Sequence, residues 1–206
     1  MNLLSAYQKL KPLSPFFFTK DAAYTWNVSH AHAAVILSRL SKQKAIVRLM
    51  RGCFTFSDVD PLSLHNSLNY PMLSYISLYT ALYYHGMIEQ IPSVIYIITN
   101  GKTKRVKTPL ATFSMHHING YLFDGYATVD NQRIIMATPE KALFDTLYLM
   151  PAKSNYFKRL TELELPNHFH FSHFKKWIKC IHNKSRRKMI EIKLDEIRNA
   201  SKQGRQ

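Results

Sequence analysis

Only two cysteines, Cys53 and Cys180, occur in the 206 residues, with no paired spacing around either, and this excludes a disulfide framework and a cysteine-based zinc site. Both are expected to be ordinary buried thiols. Glycine is also scarce, with six residues, and none of them builds a phosphate-cradling Walker loop or a Gly-x-Ser-x-Gly nucleophile elbow. No apolar run reaches the ~20 residues of a spanning helix. The most hydrophobic stretches, such as Val94 to Ile98, are strand-sized. Met1 to Lys11 lacks the layout of a signal peptide, so a cytoplasmic protein with no membrane association is expected. The last shortage is of acids: 13 Asp and Glu stand against 28 Lys and Arg, for a net charge of +15. A surface so basic attracts polyanions through its long-range field and through counterion release.

Apolar residues make up 46% of the chain, an ordinary share for a folded protein with a buried core. Domains commonly hold ~100–150 residues, so one large or two small units fit the length. The charge is uneven. Residues 1–60 hold eight Lys or Arg against three acids, residues 61–150 six against five, and residues 151–206 fourteen against five. The two ends are basic and the middle is nearly neutral.

Near the N-terminus Leu3, Leu4, Tyr7 and Leu10 recur at helical spacing, and Pro12 and Pro15 stop that helix. Thr19 is an expected N-cap for a short helix from Lys20 to Trp26. Ser29 caps a second helix running to about Gln43, with Ala33, Ile36, Leu37 and Leu40 on one face. Ile46 to Phe56 then alternates as two short strands around the basic Arg51-Gly52 turn. Short helix, tight turn, longer helix and basic hairpin together predict a winged helix-turn-helix over residues 1–58.

Residues 59–74 contain Pro61 and Pro71 and little periodicity, which predicts a connector able to hold a short helix. Beyond it, Ser77 can cap a helix through His85, with Gly86 at its left-handed stop. Ser93 to Thr99 and Thr112 to Ile118 have strand character, and Asn100-Gly101 is a hairpin signal. A further hairpin is expected to join Tyr126–Val129 to Arg133–Ala137 through Asp130-Asn131. Thr138-Pro139-Glu140 supplies cap, first-turn proline and first-turn acid for a helix reaching about Met150. From Lys153 onward the chain is basic and helical in tendency, and Ala200 to Gln206 are expected to fray. The fold class is therefore α+β: a winged helix-turn-helix, then a mixed α/β domain over 75–206 with a mainly antiparallel sheet and a basic helical C-terminal region. That domain is expected to build its core without help from Leu3 to Phe56, so residues from about Met72 onward should act alone.

Several segments resemble one family. Tyr75-Ile76-Ser77-Leu78, Ala81-Leu82, His85-Gly86-Met87-Ile88, Gln90 and Pro92 look like the opening of the AbiEi-type antitoxin domain of type IV, abortive-infection toxin–antitoxin systems. Thr108-Pro109-Leu110, Thr112-Phe113, Phe123, Gly125-Tyr126, Ala137-Thr138-Pro139-Glu140-Lys141-Ala142-Leu143, Asp145 and Leu147-Tyr148-Leu149 continue the likeness in order. The resemblance implies a protein that represses its own operon through an N-terminal winged helix and counteracts a nucleotidyltransferase-like toxin, with no stable complex required. It also implies Arg or Lys in the second turn of the recognition helix, where this chain has Ala34 and Val35. DNA contact is accordingly expected from the start and end of that helix and from the wing.

The candidate DNA-binding residues are Ser29, His30, His32, Ser38, Arg39 and Lys42 on the helix face away from Ile36 and Leu40, followed by Lys44, Arg48 and Arg51. Hydroxyls, imidazoles and guanidinium groups can bond base edges or phosphates. The partner implied is double-stranded DNA bearing an inverted repeat, occupied by a monomer or weak dimer. A second basic segment, Lys102, Lys104, Arg105 and Lys107, reads equally as a phosphate grip or as a solvated hairpin tip. The tail run Lys184 to Lys188 offers a similar phosphate grip, with a solvated helix face slightly favoured. His168, His170 and His173 lack a nearby Cys or carboxylate to complete a metal site, and with Phe169, Phe171 and Phe174 they predict an aromatic docking surface. No cofactor is expected. The alternative function is a metal-dependent nuclease-like enzyme using Glu140, Lys141, Asp124 and Asp145, although Glu140 is already explained as a first-turn acid.

Overall fold

The computed structural model describes residues 2–129, 134–149 and 163–203. The expected Asp130-Asn131 turn, the helix end at Met150 and the chain around Lys153 lie outside them. The fold is mixed α and β, with one three-stranded and one six-stranded sheet.

Helix α1 spans Leu3–Leu10 and is capped by Asn2, whose Oδ1 accepts from the Leu4 amide at 2.7 Å. Its buried residues are Ala6 and Leu10, while Leu4 stays 63% exposed. Leu3 and Tyr7 pack against the same core, so of the expected stripe only Leu4 points away, and the Trp26 indole donates to the Ala6 carbonyl at 3.1 Å on the inward face. Strand β1 (Phe16–Phe18) leads into helix α2 (Thr19–Trp26). Thr19 is not the cap. The Asp21 carboxylate accepts from the Phe18 amide at 2.7 Å and closes the helix start instead, freeing the Thr19 amide to donate to the Gly52 carbonyl at 2.9 Å.

Asn27, in left-handed backbone at φ 52°, ends α2. Helix α3 (His30–Lys42) follows, and Ser29 caps it by accepting from the His32 amide at 3.2 Å. Ala33, Ile36, Leu37 and Leu40 are its buried face, as the spacing predicts. Strands β2 (Ile46–Met50) and β3 (Cys53–Phe56) pair antiparallel, and β1 adds to β3, so the sheet order is β1-β3-β2. Gly52 takes φ +74° at the turn, a conformation a side chain would strain.

The second sheet is built from β4 (Ser74–Ile76), β5 (Ile95–Thr99), β6 (Lys104–Lys107), β7 (Thr112–His117), β8 (Tyr126–Val129) and β9 (Ile134–Ala137), in the order β6-β7-β5-β4-β9-β8. The pairs β5/β7 and β4/β9 are parallel and the other three antiparallel. Asn100-Gly101 therefore does not close a hairpin between neighbours: the chain passes beyond β7, forms the edge strand β6, and returns as β7 between β6 and β5. Helices α4 (Leu78–Tyr84) and α5 (Pro139–Leu149) pack on the β4–β9 half. Against α5 lie α6 (Phe174–Lys179) and α7 (Lys184–Gln203). Helix α7 continues through Gln203, past the expected fraying point at Ala200. Gly125 shows how closely these layers meet, since an added Cβ would stand 2.7 Å from the Trp177 ring and 3.1 Å from Lys141.

The connector is not a spacer. It forms a 3-10 turn at Pro61–Leu64 and buries Leu64, His65, Ser67, Leu68 and Asn69. Leu64 and Leu68 join Leu49 and Cys53 of the small sheet to Ile97, Phe113 and Met115 of the large one in a single apolar cluster. The main core of the large sheet draws on no residue of Leu3 to Phe56, as expected, while the other face of that sheet shares the junction cluster with Leu49 and Cys53. Among the described residues, no helix is long and apolar enough to cross a membrane.

Candidate nucleic-acid interface

Between α3 and the β2–β3 turn lies an open groove of about 590 Å³. The geometry follows from local bonds: the Thr19 amide on the Gly52 carbonyl ties the β2–β3 turn to the start of α2, and the apolar face of α3 packs inward. One exposed side of α3 forms one wall through His30, Ala34, Ser38, Ser41 and Lys42. Arg48 and Arg51 form the other, and Lys20, Phe18 and Tyr70 close one end. Lys20 Nζ stands 5.7 Å from the Phe18 ring centre and 6.0 Å from that of Tyr70.

Of the sequence-predicted residues, His30, Ser38, Lys42, Arg48 and Arg51 are brought together here. Ser29, His32, Arg39 and Lys44 do not line the groove. Ser29 is spent on capping the helix. His32 and Arg39 are exposed on α3 outside the groove, and Lys44 adopts left-handed backbone at φ 57° where the chain leaves the helix. Ala34, read in the sequence as a missing cation, lies on the groove wall, where its small side chain leaves room for a ligand. Lys20, Ser41 and Tyr70 were missed. Lys20 belongs to another helix, and Tyr70, 65% exposed, arrives from the connector without any local signal.

Among the described residues, none of the ion pairs uses Lys20, Lys42, Arg48 or Arg51. Four unpaired cations in one concave surface repel one another and are stabilised by an external polyanion. The first turn of α3 adds its unpaired amides at the same place, beyond the one that Ser29 satisfies.

The other candidates fare differently. Lys102, Lys104, Arg105 and Lys107 are exposed, but on and before an edge strand rather than at a hairpin tip. Lys104 is partly committed, its Nζ donating to the Leu68 carbonyl at 2.7 Å. In the tail run, Arg186 donates to the Tyr148 carbonyl and Arg187 to that of Ile181 at 2.6 Å, so these two guanidinium groups pin α7 to the body instead of forming a solvated face. The aromatic docking surface is also corrected: Phe174 is buried, and Phe169 and Phe171 pack on it and on one another. The His170 amide donates to Glu140 Oε1 at 2.9 Å, and His173 Nδ1 lies 3.6 Å from the same oxygen. Among the described residues, no group of three His, Cys, Asp or Glu side chains is arranged to hold a metal.

Of the residues of the nuclease alternative, Glu140, Lys141 and Asp145 are enclosed, while Asp124 is half-exposed. Lys141 and Asp145 form an ion pair at 2.5 Å with both side chains at 0% exposure, and Asp145 also accepts from the Tyr75 and Ser77 hydroxyls at 3.0 and 2.8 Å. Burial pushes the Asp145 carboxyl above its ordinary range despite these partners, and pushes the Tyr75 phenol up as well. Such a network cannot reach a phosphodiester. Asp124 is held by the Trp177 indole at 2.5 Å and by Lys176 at 2.9 Å. Cys53 and Cys180 are free, and burial raises the Cys53 thiol to about 11, which leaves it unreactive. No known protein-family model matches this chain, and a search of curated proteins finds no match to it either.

Proposed function

We propose that the protein is a DNA-binding autorepressor and antitoxin of a type IV toxin–antitoxin system, with a winged helix-turn-helix as its reading head. The observation that carries this is the groove in which α3 faces Arg48 and Arg51, with no carboxylate among the described residues that line it. Support comes from the element order α1-β1-α2-α3-β2-β3 with sheet order β1-β3-β2, an arrangement in which a helix enters the major groove while the adjoining hairpin grips the backbone. Cations on the wing position the protein on phosphates. His30 and Ser38 line the groove from the helix itself, and their side chains are the proposed readers of base edges.

The antitoxin role rests on the AbiEi-type resemblance from Tyr75 to Leu149. The functional partner is a nucleotidyltransferase-like toxin, counteracted with no stable complex required, and the operator is an inverted repeat bound by a monomer or weak dimer. Footprinting on the region upstream of the gene tests the first half. Two protected half-sites ~34–36 Å apart, or a multiple of that, are expected, whereas uniform protection of any sequence would overturn specific repression. Co-expression with the neighbouring toxin gene tests the second half, with growth rescue as the readout.

A further inference from the structure

The large sheet is covered unevenly. On β5, β6 and β7, the side chains of Ile95, Ile97, Phe113, Met115 and Val106 point into the cluster shared with the N-terminal unit. By strand alternation the intervening residues face the other way. On that opposite side α4 and α5 cover the β4–β9 half, and among the described residues no helix covers β7 and β6, where Arg105 and Lys107 are exposed. Strand register sets Arg105 beside Ser114 and Ser114 beside Tyr96 in one row, with Lys107 beside Thr112 in the next.

Two half-buried rings stand on this face. Tyr96 and His116 lie nearly parallel, centres 6.1 Å apart and planes 26° apart, and Tyr79 of α4 props the tyrosine edge-on at 5.8 Å. Ser114 Oγ bonds His116 Nε2 at 3.0 Å and fixes the imidazole orientation. Around them the charge has one sign. From Gln90 to Phe123 there is no Asp or Glu at all, and Arg105 and Lys107 of that span stand on this face, whereas Lys104, one residue out of step, turns to the other side and donates to the Leu68 carbonyl.

We infer that this face is a binding platform for single-stranded nucleic acid, separate from the α3 groove. Every base has a π-face, so oriented rings flanked by cations hold a strand by stacking and phosphate contact without requiring a sequence. A duplex keeps its bases stacked on each other and cannot use the rings. The inference does not depend on operator binding, since none of these residues lines the groove.

The test is a fluorescence-anisotropy titration of the full chain against labelled oligouridine and oligodeoxythymidine of ~12 nucleotides, within the usual site size of such platforms. Both strands should bind at low salt, and a mixed-sequence duplex of equal length should compete poorly against a strand held on this face in the Arg48→Ala/Arg51→Ala variant. The exposed double variant Arg105→Ala/Lys107→Ala should weaken binding and flatten the salt slope by about 1.4, from ~0.7 per phosphate contact. His116→Ala should cost about tenfold, and His116→Phe, which keeps a ring, should retain most of the affinity. Unchanged melting temperatures show that each variant is folded. Tighter binding of the RNA strand would assign a contact to its 2′-hydroxyls, and parity would assign stacking and phosphate alone; either supports the platform. Absence of single-strand binding would overturn it, as would loss in the groove variant with no change in the Arg105, Lys107 and His116 variants.

Discussion

Lys141 and Arg48 carry the same charge and meet opposite surroundings. Lys141 is wholly enclosed, paired with Asp145 at 2.5 Å and lying 4.9 and 5.3 Å from the centres of the Phe144 and Trp177 rings. Arg48 is exposed in a groove among other cations, with no carboxylate among the described residues that line it. The buried charge is bound up in holding the fold, because an ion taken out of water must find its compensation inside. The exposed charge keeps its hydration and is free to trade it for phosphate. A cation is therefore a functional candidate here when its compensation is missing, and a structural one when it is complete.

The sharpest way to break this contrast is to remove one partner inside. Asp145→Ala strands the Lys141 ammonium and deprives the Tyr75 and Ser77 hydroxyls of their acceptor, so a loss of about 3–5 kcal/mol is expected in urea unfolding. Lys141→Met combined with Asp145→Leu should recover the part due to the stranded charge and leave the part due to the two hydroxyls that lose their acceptor. If the single and double variants were equally unstable, packing rather than the ion pair would set the cost.

Next in size is the junction. Leu64→Ala empties a wholly buried site between the two sheets and should cost about 2–5 kcal/mol. A fragment from Met72 to Gln206 would lose Leu49, Cys53, Leu64 and Leu68 from that cluster and leave Ile97, Phe113 and Met115 uncovered. It should bind a hydrophobic dye that the full chain does not bind.

What could be read from the sequence was what is local. The α3 cap at Ser29, its buried face, the Arg51-Gly52 turn and the Thr138-Pro139 start of α5 each depend on residues within one turn of one another, and the structure has them all. The order of the large sheet was not legible. Asn100-Gly101 favours a tight turn, but which strand lies beside β5 is decided by burial: the alternating Phe113 and Met115 of β7 fill the junction, and Lys104 to Lys107, mostly charged, belong at an edge. The groove was half legible for the same reason. His30, Ser38, Lys42, Arg48 and Arg51 come from one continuous stretch, whereas Lys20 and Tyr70 reach it only through tertiary packing.

Histidines extend the contrast to protons. His65 is fully buried in the connector, its Nδ1 bonded to the Leu62 carbonyl at 3.0 Å and its Nε2 without a partner among the described residues. Burial lowers its pKa below the ordinary 6.5, so the unfolded chain takes up a proton before the folded one does. Its contribution to stability is intact above 6.5 and is lost as pH falls from there toward the folded value, at up to about 1.4 kcal/mol per pH unit. His85 and His116 are lowered by burial in the same direction. Unfolding followed between pH 7 and pH 5 should show this slope, reduced in His65→Gln. A slope identical in the variant would place the proton uptake elsewhere.

The smallest effect on folding is expected where the effect on binding is largest. Arg48 and Arg51 make no ion pair among the described residues and are exposed, so replacing both with alanine should change stability by no more than about 0.5 kcal/mol. Relief of repulsion with Lys20 and Lys42 could even make the change favourable. Operator affinity should fall, and the slope of log affinity against log salt should flatten by about 1.8, since each lost phosphate contact removes ~0.9. Because phosphate contacts carry no sequence, random duplex should weaken in proportion, so that the ratio of operator to random affinity is preserved. His30→Ala should do the reverse, reducing that ratio with little change in the salt slope. A double arginine variant that melted early, or that kept the full salt slope, would move these residues from the groove's function into the fold's support and erase the distinction from Lys141.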